Sequence, residues 1–226
     1  MWSMHHEHPD HPLKAILLNA ARGRFPDADG VVAFVPPLAD GIQAVVSFTG
    51  HSIIAGDVDA DELLALGADG FGGATAPAVL TRIAGARRRV GMTDVLLVAP
   101  GTGRGVGALR EVGDRIANPR VDYARSIRQE VRVFAADDGI VTIATGLAGV
   151  LEMSVEVHEE RRSTGAGRQL IEGARGLVPS GAALFAAVTP GNARSLRSFL
   201  AAGFVPVGSV TLITPETPET PEPGEA

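Results

Sequence analysis

Apolar and polar positions along the chain follow two periods, which together predict a mixed α/β fold. Apolar runs at residues 31–35, 44–48 and 95–99 have the length and composition of buried strands. Residues 61–66 and 77–84 follow an acidic or a proline start and predict short helices. The first hundred residues therefore combine strands and helices.

The second half of the chain gives a clearer pattern. Residues 131–134 and 140–144 flank the turn 136–139, which ends in Asp-Asp-Gly, and predict a hairpin. In residues 150–157 four apolar side chains alternate with polar ones. A regular strand there places Glu152 and Glu156 on one face. A glycine-containing turn and an apolar helical spacing follow, so this region predicts a strand, a turn and a helix in succession.

These patterns divide the chain into four parts. We expect a flexible His-rich N-terminus at 1–12, an α/β lobe of unknown role at 13–104, a second domain at 105–213, and a disordered tail at 214–226. The tail repeats Thr-Pro-Glu and has no apolar side chain to bury in a core.

Charge and composition exclude several classes of protein. The chain has 226 residues, with 26 acidic and 20 basic side chains, and four of the acidic ones lie in the tail. The remaining body is nearly neutral, which argues against binding of nucleic acid or of an anionic membrane and favours a small-molecule partner. Cysteine is absent, which excludes disulfides and thiolate chemistry. No apolar run approaches the roughly 20 residues of a membrane span, so we expect a cytoplasmic protein.

Two groups of potential metal ligands do not predict a metal site. Asp57, Asp59 and Asp61 have the spacing that begins a calcium loop, but the sixth and twelfth positions are Glu62 and Ala68. Acidic residues at a helix N-terminus explain this pattern better. The N-terminal histidines belong to a segment without periodicity, where mobile side chains are expected: His5, His6, His8 and His11.

Two glycine-rich turns follow predicted strands and could face phosphate. The first, at 101–107, lacks the glycine spacing of a dinucleotide site and the lysine of a P-loop, and a linker is the better interpretation. In the second, Gly165 and Gly167 begin a helix whose first N–H groups lack partners, and arginines surround it. A pyrophosphate suits that end of a helix. A short solvent-exposed turn without a ligand would have the same sequence pattern.

The second turn lies within a longer pattern that resembles the GNAT superfamily of N-acyltransferases. Val157 is followed after four residues by Arg-Ser-Thr-Gly-Ala-Gly and an amphipathic helix, which is similar to the acyl-CoA motif of that family. Downstream, Asn192, an aromatic residue seven positions later and Gly203-Phe204 match a second family segment. The resemblance covers about residues 105–213. It implies a mixed, mostly antiparallel, splayed sheet flanked by helices.

The resemblance also implies a cofactor and its binding residues. Acetyl-CoA, or another acyl-CoA, would be the co-substrate, without a metal, and a small-molecule amine would accept the acetyl group; a homodimer is left open. The backbone near Val155 and Val157 would pair with the pantetheine arm. The other positions of the two motifs would contact the pyrophosphate, the pantetheine arm or the thiol end of the cofactor: Arg162, Ser163, Thr164, Gly165, Ala166, Gly167, Arg168, Asn192 and Phe199.

Catalysis is less clear from the sequence. Glu152 and Glu156 are candidates for the general base, with a slight preference for Glu152. Many family members carry a tyrosine that protonates the leaving thiolate at the position of Phe199, and phenylalanine has no proton to give. Either water, another group or Tyr123, the only tyrosine of the chain, supplies the proton, or the protein binds acyl-CoA as a weak or inactive enzyme or a sensor.

Overall fold

The part of the chain that a computed structural model describes, residues 11–105, 107–113 and 116–216, forms six α-helices and ten strands. The helices are α1 (Pro12–Ala20), α2 (Ala60–Ala65), α3 (Pro77–Ala84), α4 (Pro119–Ile127), α5 (Ala166–Leu177) and α6 (Ala193–Ala201). The strands are β1 (Val32–Val35), β2 (Gln43–Phe48), β3 (His51–Ala55), β4 (Arg88–Pro100), β5 (Arg110–Glu111), β6 (Gln129–Ala136), β7 (Gly139–Thr145), β8 (Leu151–Val157), β9 (Ala183–Val188) and β10 (Val205–Pro215).

All ten strands belong to one sheet, in the order β1-β3-β2-β10-β4-β9-β8-β7-β6-β5. Two neighbouring pairs, β1 with β3 and β8 with β9, are parallel, and the other pairs are antiparallel. The predicted mixed α/β class with a mostly antiparallel sheet flanked by helices is therefore confirmed.

Alternation along the strands separates the two faces of the sheet. Leu97 of β4 and Met153 of β8 pack in one core cluster with α5 and α6. Leu96 belongs to a second cluster, with Leu17 of α1. Helix α4 packs on the α1 face, where Val121 contacts the side chains of β6 and β7. The polar side chains of β8 thus point toward α4, and its apolar ones point toward α5.

Most elements expected from the sequence are present. The three predicted N-terminal strands correspond to β1, β2 and β4, the predicted hairpin to β6 and β7, and the 77–84 helix to α3. Asp59 is the N-cap of α2 and accepts a hydrogen bond from the Glu62 N–H, which confirms the helix interpretation of the acidic cluster. Strand β8 pairs with β7 without a register shift, so Glu152 and Glu156 share one face as expected.

The expected boundaries of both terminal segments are corrected. His11 caps α1, since its Nδ1 accepts from the Leu13 N–H, so the helix begins inside the segment expected to be flexible. At the other end, Thr214 and Pro215 pair with β4, opposite Arg89 and Arg88. The predicted start of the tail is too early, because β10 continues to Pro215 within the Thr-Pro-Glu repeat. The other N-terminal histidines and residues 217–226 lie outside the described residues.

The predicted lobe at 13–104 and the predicted domain at 105–213 share the sheet. Strand β4 of the lobe lies between β10 and β9 of the domain, with both of which it pairs. The division at residue 104 stays a prediction. Wherever the boundary lies, β4 pairs with two strands of the predicted domain.

Truncation of a core leucine should distinguish this central strand from the surface. Leu97 of β4 is fully buried, whereas Leu64 of α2 is 48% exposed. We expect Leu97→Ala to lower the free energy of unfolding by about 2–5 kcal/mol, because it removes buried apolar area and leaves a cavity. Leu64→Ala should change it by less than about 1 kcal/mol. Urea unfolding of both variants measures the difference; equal losses would contradict the assigned position of β4 in the core.

Candidate functional site

A gap opens in the sheet between the two central parallel strands. β8 and β9 pair only at Leu151 with Leu184 and at Glu152 with Phe185. β8 continues to Val157 and β9 to Val188, yet no further pairing joins them. Because alternate N–H and C=O groups of a strand point to each side, half of those of residues 153–157 face this gap. We call the space between residues 153–157 of β8 and the end of β9 the slot.

The turn before α5 lies at the open end of the slot, directly after β8. Gln169 donates its N–H to the Gly165 carbonyl as helical bonding begins. The N–H groups of residues 163–168 have no hydrogen-bond acceptor among the described residues. Unpaired N–H groups and the positive end of a helix favour an anion. The turn can therefore receive negatively charged oxygens.

Two glycines of this turn have different roles. Gly165 has φ +90°, which favours glycine, and open space where a Cβ would lie, so it is the backbone conformation that calls for glycine there. A Cβ on Gly167 would lie 3.3 Å from the Ser198 Oγ and 3.4 Å from a methyl of Val157. Gly167 therefore permits close packing of α5 on α6 and β8. This packing accounts for the glycine, and a role of Gly167 in cofactor binding stays a prediction.

The arginines of the turn are exposed and weakly paired. Arg162 lies 3.7 Å from Glu159, and Arg168 donates to Glu172 at 2.8 Å. Exposed pairs of this kind contribute little, so an anion can displace either acidic partner. Ser163, with φ +68°, and Thr164, which donates to the Arg161 carbonyl, shape the turn. Ala166 is buried beneath it.

The earlier glycine-rich segment uses several of its backbone donors within the fold. The N–H groups of Gly101, Thr102, Gly103 and Gly105 all donate to backbone carbonyls between residues 175 and 182. Its backbone is thus bound to the end of α5 and the loop that follows. These four donors are therefore engaged within the fold and do not face a phosphate.

Asn192 and Phe199 have structural positions. The Asn192 Oδ1 accepts from the Ser195 N–H as the N-cap of α6. Phe199 is 2% exposed and packs edge-on against Phe204, with ring centroids 5.0 Å apart. Because so little of the Phe199 side chain is exposed to solvent, the predicted contact of this residue with a cofactor is not favoured. Gly203, with φ +84°, ends the helix as expected.

Glu152 is held in a buried ion pair. Its side chain is 8% exposed, Arg128 Nη2 donates to Oε1, and the Leu147 N–H donates to Oε2 at 3.2 Å. A Cβ on Gly146 would overlap Oε2 at 2.2 Å, so this glycine makes room for the carboxylate. Both oxygens are engaged, which favours a structural role for Glu152 over that of a proton acceptor.

Glu156 lies farther along the same face and is more accessible. Its side chain is 38% exposed and accepts from Asn118 Nδ2 at 3.3 Å, with Arg120 Nε 3.5 Å away. Asn118 also caps α4. Glu156 thus connects β8 to the start of α4 and remains a candidate base.

A second group on this face includes Tyr123 and an aspartate that sequence reasoning missed. Asp94 lies on β4, half-buried, and accepts from Thr189 Oγ1 at 2.7 Å. Burial raises the pKa of Asp94, the Thr189 hydrogen bond opposes the rise, and the charge of Glu152 adds to it. Partial burial also raises the pKa of Tyr123, with Arg128 opposing and Asp94 adding to the rise. Tyr123 is therefore protonated at neutral pH and able to donate.

One signal in the sequence could have found Asp94. Asp94 is a charged residue at the start of the strongly apolar run 95–99, where an unpaired carboxylate would be costly. Arg128 and Thr189 gave no such signal, because their roles depend on strands distant in sequence.

The described residues contain no group of three or more His, Asp or Glu side chains placed to hold a metal ion. None of their helices combines the length and apolar character needed to cross a bilayer.

Solved structures that are similar to this chain include two acetyltransferases, although no protein-family model and no curated protein matches it. One is described as an acetyltransferase of the GNAT family from Novosphingobium aromaticivorans, with 17% identity and a TM-score of 0.40 over 58% of this chain and 69% of the other. The second is a GCN5-related N-acetyltransferase from Kribbella flavida, with 13% identity and a TM-score of 0.36 over 62% of this chain and 65% of the other. The chain thus spans about two thirds of each neighbour. At this level of similarity, function has to be inferred from the residues of this chain.

The buried ion pair makes a prediction about stability. Arg128→Met leaves the Glu152 carboxylate without its cation, and we expect the free energy of unfolding to fall by about 3–5 kcal/mol. The double variant Arg128→Met/Glu152→Met should be more stable than this single variant, because neither charge then remains buried. Arg82→Met, which breaks an exposed pair with Glu62, serves as the control and should have a much smaller effect. Chemical denaturation that ranks the double variant below Arg128→Met would contradict the pair's assigned burial.

Proposed function

We propose that the protein is an acyl-CoA-dependent N-acyltransferase that transfers an acetyl group from acetyl-CoA to a primary amine of a small molecule. One observation carries the proposal: the slot between β8 and β9 ends at a turn whose N–H groups lack acceptors. A long, thin ligand with an anionic group suits a narrow opening beside an anion-binding turn. Acyl-CoA has this form, and the sequence motifs that resemble the GNAT superfamily lie at these elements.

The proposed position of the cofactor follows from the donors. The N–H groups of residues 163–168 bind the pyrophosphate, and Arg162 and Arg168 add positive charge. The pantetheine arm lies along the free edge of β8 and pairs with the backbone near Val155 and Val157 like an added strand. Both valines are half-buried against the α5 side of the core, so they form an apolar wall for the arm.

The proposed reaction is a direct attack of the amine on the thioester. A backbone N–H of the β8 edge stabilises the developing oxyanion. Tyr123 is the candidate proton donor for the thiolate, because its hydroxyl stays protonated and lies near enough to Asp94 and Glu152 for their charges to act on it. Alignment of the amine beside the thioester supplies a further part of the rate.

Charge on the α4 face favours a cationic acceptor. Asp94, Glu152 and Glu156 all lie on this face, and Arg128 and Arg120 offset only part of their charge. Such a surface attracts an ammonium group and repels an anionic acceptor. We therefore propose a small alkylamine as the substrate class.

A second candidate function is acyl-CoA binding without turnover, as in a weak enzyme or a sensor. Phe199, which replaces a proton donor in the sequence motif, is buried and has no hydroxyl. Thiol release from acetyl-CoA in the presence of a panel of alkylamines separates the two functions: release above the protein-free rate supports transfer, and binding without release supports the second candidate.

A charge placed at Gly165 tests the cofactor site. Gly165→Asp and Gly165→Asn impose the same strain at φ +90°, but only aspartate adds a negative charge where the pyrophosphate would bind. We expect calorimetric titration with acetyl-CoA to give a Kd at least about tenfold weaker for Gly165→Asp than for Gly165→Asn, which corresponds to about 1.4 kcal/mol. Equal affinities for the two variants would place the pyrophosphate elsewhere.

A further inference from the structure

Asp94 lies on β4 just beyond the last residue of that strand that pairs with β9. The pairing of β4 with β9 ends at Val95 and Val188. One residue beyond each of these, the Asp94 and Thr189 side chains are joined by a hydrogen bond of 2.7 Å. Asp94 therefore lies beside the carboxyl end of β9, which borders the slot.

Its orientation brings Asp94 to the same face as the other polar groups of the site. Val95 packs on the α5 side of the sheet, so alternation turns Asp94 toward α4. The charge of Glu152 raises the pKa of Asp94, and the charge of Asp94 raises the pKa of Tyr123. The three side chains therefore lie near one another. Glu152 of β8 and Thr189 thus act on Asp94, and Asp94 in turn acts on Tyr123 of α4. Arg128, which follows α4, and Arg89 of β4 also act on Tyr123.

Asp94 is better placed than Glu152 to accept a proton. Both Glu152 oxygens accept hydrogen bonds, from Arg128 and from the Leu147 N–H. Protonation of Glu152 would break a buried ion pair. Asp94 uses one oxygen, Oδ1, for Thr189, and Oδ2 has no partner among the described residues.

We propose that Asp94 accepts the proton of the attacking ammonium group in the acyl transfer proposed above, on which this inference rests. The ammonium N–H bond breaks and its proton passes to the Asp94 carboxylate. The freed nitrogen lone pair attacks the thioester carbon, the C–N bond forms, and the C–S bond then breaks. Tyr123 protonates the thiolate and regains a proton from the nitrogen. Asp94 releases its proton to water, so ammonium and thioester give amide, thiol and one proton.

Two amines of different protonation state make a direct test. Butylamine resembles a lysine side chain, with a pKa of about 10.4, and must lose a proton before it attacks. Hydroxylamine is already neutral at pH 7. For Asp94→Asn we expect kcat/KM with butylamine to fall by about 10²–10⁴-fold. The fall with hydroxylamine should stay below about tenfold, and the Kd for acetyl-CoA, measured by calorimetry, should not change.

The control and a second variant keep the test informative. Asp61→Asn, on α2 and outside the slot, should leave both rates unchanged. Thr189→Val keeps the carboxylate but removes the hydrogen bond that lowers the Asp94 pKa. The acidic limb of its kcat/KM profile with butylamine should therefore move to higher pH, which a merely structural role of Thr189 would not cause.

The outcomes separate this inference from the proposed function. If the wild-type protein binds no acetyl-CoA, the proposed function fails and the role of Asp94 fails with it. If the wild-type protein acetylates butylamine and Asp94→Asn does so equally well, or loses both amines to the same extent, only the role of Asp94 is overturned. Acetyl-CoA binding without acetylation of either amine also overturns it.

Discussion

The site depends on the early loss of pairing between β8 and β9. Two parallel strands that begin side by side at Leu151 and Leu184 stop pairing after one further residue. Backbone groups that would be costly to leave without partners in a closed sheet instead face an opening. This arrangement is stable because each strand is held on its other side, β8 by β7 through seven residue pairs and β9 by β4 through six. The divergence therefore creates a binding edge inside a well-packed sheet.

The two faces of the sheet have different roles around this opening. On one face, α5 and α6 pack on aliphatic side chains and fix the turn that follows β8. On the other, α4 packs near polar residues of β8 and β4, including Asp94, Glu152 and Glu156. In the proposed reaction, the cofactor enters between the strands from the α5 end and the amine approaches from the α4 face. Alternation along β8 supplies both an apolar and a polar surface at one strand.

The sequence predicted the local parts of this arrangement well. The alternation in β8, the helix after Gly165 and the hairpin before them are short-range patterns, and each was confirmed. The interleaving of β4 between β10 and β9 was not predicted, because antiparallel pairing between residues more than eighty positions apart leaves no local pattern. For the same reason Asp94, which belongs to the sheet through β4, was missed, although its charge in an apolar strand was visible. Gly167 shows the converse: a motif position was identified, but only the packing on Ser198 reveals why glycine is needed there.

The central claim is that acyl-CoA occupies the slot and the turn before α5. Amide hydrogen exchange, followed by NMR with and without acetyl-CoA, tests it residue by residue. The proposal predicts slower exchange for the N–H groups of residues 163–168 and for alternate residues of 153–157, which acquire acceptors from the pyrophosphate and the pantetheine arm. Unchanged exchange in both segments under saturating acetyl-CoA, or protection confined to another part of the sheet, would contradict the account.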